Sequence, residues 1–214
     1  LVGLTHIDQR KLFLAVYFRA ISSLMCSLVV PMAVAAYARQ DWNVLIRNSA
    51  RAVRFVSIGM AVPLAIFCGL ASPFIMRWLG PDVVKILTPL VWLLLAHNVI
   101  NCGVEPLFAI NMAANKVAVP GMVTVGGGIV KVLLAIALVK YTSLGFYGVA
   151  LAGLVALTLK NAIFTPLYSG RILRCSSKPF FKALAQSVVV FGVVSLMAST
   201  LAKHVYLATY PRLF

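Results

Sequence analysis

Four charged side chains lie inside long apolar stretches of this 214-residue sequence: Arg19, Glu105, Lys131 and Lys160. A Lys or Arg at the centre of a membrane-spanning helix costs about 2.5–3.5 kcal/mol on insertion scales, so such residues usually face protein or a water-filled cavity. Three of the four are cations, and positive charge gathered in a cavity attracts anions such as a diphosphate. The sequence therefore predicts Arg19, Lys131 and Lys160 as the substrate-binding cations of a cavity. The alternative is that their long side chains snorkel to the membrane surface.

A stripe of polar side chains runs along one of the apolar stretches. His97, Asn101 and Glu105 recur at intervals of four residues, so they share one face of a helix. We predict that this stripe is an ion or proton relay, because His97 and Glu105 can change protonation state. Two structural alternatives stay open. His97 would be a hydrogen-bonded interior residue, and Glu105 would form an ion pair with Lys131 or Lys160.

The composition requires that these residues sit in a membrane protein. Hydrophobic residues make up 62% of the chain and charged residues 11%, whereas a soluble domain carries about 25% charged residues. Six stretches are long and apolar enough to cross a bilayer as helices. They are 12–38, 55–76, 86–114, 117–139, 144–169 and 183–202. The predicted fold class is an all-α, polytopic membrane bundle.

The formal net charge of +15 is unevenly distributed along the chain. Basic residues concentrate at 39–54 and at 171–182, which lie on one side of the membrane if the six stretches are correct. Cytoplasmic loops carry an excess of Lys and Arg, so we place both segments in the cytoplasm. The same rule accounts for the basic excess without nucleic acid as a partner.

Small residues indicate where helices approach closely or bend. Gly148, Ala152 and Ala156 form a groove for a neighbouring helix. The run 126–128 is three successive glycines, each weakening a helix by roughly 1 kcal/mol relative to alanine, so we expect a bending point there.

Nothing in the sequence forms a catalytic or metal-binding pattern. The four cysteines are far apart and have no neighbouring histidine, so we interpret them as small apolar residues that fill space between helices and not as metal ligands. They are Cys26, Cys68, Cys102 and Cys175. We therefore expect a protein that is not an enzyme and that uses no cofactor and no metal.

Five short motifs, in this order, resemble the polysaccharide flippases of the multidrug, oligosaccharidyl-lipid and polysaccharide exporter superfamily. The first three are the 17–20 Tyr-Phe-Arg-Ala segment, the 37–41 Tyr-Ala-Arg-Gln-Asp turn and the 48–51 Asn-Ser-Ala-Arg segment that leads to the Trp-Leu-Gly end at 78–80. The others are the Ala-Ala-Asn-Lys turn at 113–116 and the Gly-Phe-Tyr-Gly-Val-Ala-Leu-Ala entry at 145–152. Arg19 matches a position where related lipid flippases carry a cavity arginine.

The resemblance implies two bundles of six helices around a central cavity, with extra helices at the end. This chain reads as a fragment: 1–182 would be the second bundle and 183–214 an additional helix with a truncated tail. The implied function is translocation of a lipid-linked oligosaccharide, of the undecaprenyl-diphosphate type, across the bacterial inner membrane, as in O-antigen export. The implied partners are this anionic cargo, membrane lipids and other polysaccharide assembly proteins.

The sequence leaves two alternative functions open. A drug or ion antiporter of the same superfamily would share the fold, but cationic cargo favours acids in the cavity. A membrane-embedded glycan polymerase or ligase would need large loops with catalytic residues, and the loops here are short.

Overall fold

The computed structural model describes residues 29–209, which fold into helices joined by short turns. The first three helices are α1 (Val29–Ala38), α2 (Trp42–Gly69) and α3 (Ala71–Leu79). A short 3-10 turn, Pro81–Val83, leads to α4 (Val84–Ala96), α5 (Asn98–Gly103) and α6 (Glu105–Ala113). Then follow α7 (Ala118–Tyr141), α8 (Phe146–Leu159), a π-helical segment (Lys160–Phe164), α9 (Thr165–Ile172) and α10 (Lys178–Thr209).

Five helical segments of the described part are long and apolar enough to cross a membrane. They are 42–69, 81–113, 118–141, 146–172 and 178–204. This confirms the predicted all-α, multi-pass class. Of the predicted stretch 12–38, only the last ten residues are described, as α1. The division of the chain into a lobe and an additional helix stays a prediction.

The basic segment 39–54, which lies between two of the six predicted stretches, forms the first half of α2 from Trp42 onward and is continuous with the apolar part of that helix. Asp41 caps this helix by accepting a hydrogen bond from the Val44 backbone N–H, and no helix breaker follows before the apolar part begins. Pro63 lies inside α2 without ending it. The helix instead ends at Gly69, where Pro73 would clash with its carbonyl in a continuous helix.

The next membrane segment is interrupted twice, at His97 and at Val104. Pro106 causes the second break. In an unbroken helix its ring would clash with the Cys102 carbonyl group, and it has no N–H to donate to that carbonyl. At the first break, the His97 imidazole Nδ1–H donates to the Leu93 carbonyl oxygen over 3.0 Å. Both breaks fall inside the polar stripe predicted from the sequence.

The core lies between α2 and α10, which run along each other. Phe180 of α10 is fully buried beside Leu45 and Val53 of α2, and Phe191 packs deeper against Trp92 with ring centroids 6.0 Å apart. A Cβ atom added to Gly69 would lie 2.5 Å from the Ala198 Cβ, so only glycine allows this approach of the two helices.

Helix α7 packs mainly against α8 and is otherwise exposed. Gly148 of the predicted small-residue groove lies at this contact, since a Cβ built on it would lie 3.1 Å from the Leu138 Cβ of α7. The three glycines at 126–128 sit within an uninterrupted helix, and no atom lies within 4 Å of a Cβ added to any of them. Bending at this point therefore stays a prediction.

Candidate functional site

A cavity of about 620 Å³ opens between α4, α7 and α8. Its polar lining is His97 from the end of α4, Lys131 from α7 and Tyr147 from α8, and the remaining lining is apolar. Lys131 lies near the middle of the 24-residue helix α7, and is half-buried. Lys131 therefore lies near the midpoint of a helix that is long and apolar enough to cross a membrane.

Space for the lysine comes from a missing side chain on the neighbouring helix. A Cβ atom built on Gly153 of α8 would lie 3.3 Å from Lys131 Cε and 3.7 Å from Lys131 Nζ. The Lys131 Cε and Nζ atoms thus both lie close to the backbone of α8 at Gly153, and Lys131 and His97 line the same cavity. No acidic side chain is among the residues that line this cavity.

Asparagines extend the polar region from the cavity towards the next membrane segment. Asn161 Nδ2 donates to Asn101 Oδ1 over 2.8 Å, and Asn101 Nδ2 donates to Asn98 Oδ1 over 3.5 Å. Asn161 is only 6% exposed. Its Oδ1 has no hydrogen-bond partner among the described residues. A chain of hydrogen-bonded amides, of which Asn161 is buried and Asn98 and Asn101 are half-buried, therefore joins α5 to the π-helical segment.

Lys160 is the first residue of that π-helical segment, at the middle of its membrane span. Its Nζ lies 5.3 Å from the centroid of the Phe108 ring of α6, which is a cation–π distance. The described lining of the Lys131 cavity does not include Lys160. A π-helical turn inside a longer helix often marks a functional position, because it displaces the side chains from regular helical spacing.

The structure thus places the predicted site residues in separate environments. His97 and Lys131 line one cavity, whereas Asn101 bonds to Asn161 and Lys160 faces Phe108. Glu105 begins α6, is half-buried and follows the break at Val104. Arg19 lies outside the described residues, so its place in the cavity stays a prediction.

Two residues of the site were not singled out from the sequence. Asn161 directly follows Lys160, and an amide inside an apolar stretch was a usable signal. Gly153 could not be recognised in the sequence, because a single glycine in an apolar helix is common in membrane proteins. Its role follows only from its contact with Lys131 of the neighbouring helix.

Comparison with known proteins supports the membrane assignment. The uncharacterized membrane protein EpsK of Bacillus subtilis (strain 168) is 38% identical over 166 residues, which cover 78% of this chain and 33% of that protein. The chain therefore spans about a third of the length of the curated relative that it matches. No family model matches the chain, and no solved structure matches it significantly. The chain is an all-α, multi-pass membrane protein that is similar over most of its length to the membrane protein EpsK.

Proposed function

We propose that this chain is part of a flippase that moves a lipid-linked oligosaccharide, of the undecaprenyl-diphosphate type, across the bacterial inner membrane. The observation that carries the proposal is Lys131, a cation that lies against Gly153, lines a cavity and belongs to the middle of a helix able to cross a membrane. The five ordered motifs that resemble polysaccharide flippases, and the similarity to a membrane protein, agree with this function.

The charge of the cavity favours an anionic cargo. A lysine in the membrane interior is costly without a counter-ion, and the described cavity lining supplies no acid to neutralise Lys131. The diphosphate of a lipid carrier would provide the missing charge. A cationic cargo, as in a drug or ion antiporter, would instead be repelled by this lysine. The antiporter is therefore the weaker alternative.

An unequal cost of the empty and the loaded cavity can favour switching between conformations. A ligand shifts a conformational equilibrium only by its different affinity for the two states, so the diphosphate would shift it if Lys131 is neutralised better in one state than in the other. In alternating access, two helix bundles rock around a site near the bilayer midplane. The breaks at His97 and Val104 and the glycines at 126–128 are places where helices of the described chain would flex.

The proposal is tested by complementation in a strain that depends on the full-length protein for its surface polysaccharide. Lys131→Ala should abolish or strongly reduce export, while Lys140→Ala on the exposed end of the same helix should leave it unchanged. Lys131→Arg should keep partial activity because it keeps the charge. Normal export by Lys131→Ala at a normal protein level would refute the proposal.

A further inference from the structure

A second, strongly basic surface lies away from the Lys131 cavity, at the end of the bundle where α2 and α10 both begin. A groove of about 390 Å³ there is lined by five cations. They are Arg47, Arg51 and Arg54 of α2 and Lys178 and Lys182 of α10. Among the described residues that line the groove, none is acidic. The groove brings together the two basic segments of the sequence, which confirms that they share one side of the bundle.

The arrangement of these cations is unfavourable unless an anion binds between them. Like charges four residues apart on a helix repel each other, and both α2 and α10 contribute such a pair. Lys178 and Lys182 also lie in the first two turns of α10, where the helix dipole disfavours positive charge. Asp41, the acid closest in sequence, is engaged in capping α2.

Exposed apolar side chains follow the groove cations along both helices. Phe55 directly follows Arg54 and is 68% exposed, and Val189, seven residues after Lys182 on the same face of α10, is 64% exposed. Apolar surface is thus exposed next to the last groove cation of α2 and about 10 Å beyond the last groove cation of α10. The complete surface matches a molecule with an anionic head and apolar chains.

We infer that this groove binds the phosphate headgroup of an anionic phospholipid from the membrane leaflet that it faces. Basic residues where membrane helices begin attract anionic headgroups, and pockets between such helices hold them specifically. The site is distinct from the cargo cavity, and the inference does not depend on which molecule the protein transports. The bound lipid would stabilise the contact between α2 and α10, which forms the core of the described fold.

The test uses the full-length protein in detergent and measures phosphatidylglycerol binding by native mass spectrometry, with phosphatidylcholine as the neutral probe. The wild-type protein should retain phosphatidylglycerol preferentially, and the preference should fall as the salt concentration rises. The variant Arg47→Gln, Arg51→Gln, Lys182→Gln should bind phosphatidylglycerol roughly tenfold or more weakly. Its binding of phosphatidylcholine should not change.

A matched control removes three exposed cations outside the groove: Arg39→Gln, Lys116→Gln and Arg171→Gln. This control has the same net charge as the groove variant and should bind phosphatidylglycerol like the wild type. If the triple groove variant unfolds in detergent, Lys182→Gln alone should still weaken binding several-fold, because this side chain is exposed and outside the core.

Two results would overturn the inference. Equal loss of phosphatidylglycerol binding in the groove and control variants would show that only total charge matters. Displacement of the lipid by millimolar glycerol phosphate or inorganic phosphate would show a site for a soluble anion that does not use the apolar surface around Phe55 and Val189.

Discussion

The Lys131 side chain occupies the space that a side chain at Gly153 would need: a Cβ built there lies 3.3 Å from Lys131 Cε. Because the flexible end of Lys131 lies against the backbone of the neighbouring helix, a side chain at position 153 would take the space that this end now occupies. The position of the charge in the cavity therefore depends on a glycine that carries no chemistry of its own.

A large side chain at position 153 should displace Lys131. We expect Gly153→Leu to reduce export strongly while the protein level stays near normal, and Gly153→Ala to have a mild effect because the lysine can shift by a few tenths of an ångström. Gly192→Leu on α10 is the matched control, since no atom lies within 4 Å of a Cβ built there. The measurement is surface polysaccharide per unit of protein in the dependent strain. Equal effects of the two leucine substitutions would contradict the role of Gly153.

The hydrogen bond between Asn161 and Asn101 should contribute to stability. Polar contacts between membrane helices are worth about 0.6 kcal/mol on average and up to about 1.7 kcal/mol. We expect a double-mutant cycle of Asn161→Ala and Asn101→Ala to give a coupling of about 0.5–1.5 kcal/mol in reversible unfolding of the full-length protein. The cycle of Asn161→Ala with Asn115→Ala, a turn residue elsewhere, should give a coupling near zero. A coupling near zero for both pairs would show that the 2.8 Å contact does not persist in the membrane protein.

The glycines at 126–128 allow a test of bending that leaves packing untouched. Replacing each by alanine should stabilise α7 by roughly 1 kcal/mol per residue, because alanine is the better helix former and nothing lies in its way. If transport requires α7 to bend, the triple alanine variant should be more stable than the wild type and slower in export. Unchanged export in a stabilised triple variant would exclude bending at this point.

The reactivity of Cys175 tests the burial of its thiol and the side of the membrane on which the turn between α9 and α10 lies. Burial raises the pKa of the Cys175 thiol above its ordinary value, so less thiolate is present at any given pH than for an exposed cysteine. In a variant whose other cysteines are alanine, maleimide labelling should be slower in the folded than in the denatured protein, and the two rates should converge at high pH.

The same variant tests the predicted orientation. In intact cells, Cys175 should react with a membrane-permeable maleimide and be spared by an impermeable one, because 171–182 is predicted to be cytoplasmic. Labelling by the impermeable reagent would place both basic segments on the outer side, since they line one groove.

The sequence predicted the elements of this fold better than the contacts between them. The stretch predicted at 117–139 corresponds closely to α7 at Ala118–Tyr141, because its apolar residues are bounded by charged or polar turns. The sequence did not predict that α2 includes Arg47, Arg51 and Arg54. Charged residues show where the membrane-embedded part of a helix ends, but the helix itself can continue beyond that point.

The candidate site was predicted in its residues but only partly in its arrangement. Lys131 and His97 were both identified, and they share a cavity. Lys160 does not line this cavity but lies against the Phe108 ring, at the first residue of a π-helical segment that nothing in the sequence indicated. The breaks at His97 and Val104 alter the predicted polar stripe in the same way.

If Lys131 binds the diphosphate of a lipid-linked cargo, translocation must depend on its charge. This dependence is measured with the full-length protein in liposomes, by following translocation of a fluorescent undecaprenyl-diphosphate oligosaccharide by the wild type, Lys131→Ala and Lys140→Ala. We expect similar rates for the wild type and Lys140→Ala, and a rate at least tenfold lower for Lys131→Ala. Translocation by Lys131→Ala at the wild-type rate would show that Lys131 does not bind the cargo.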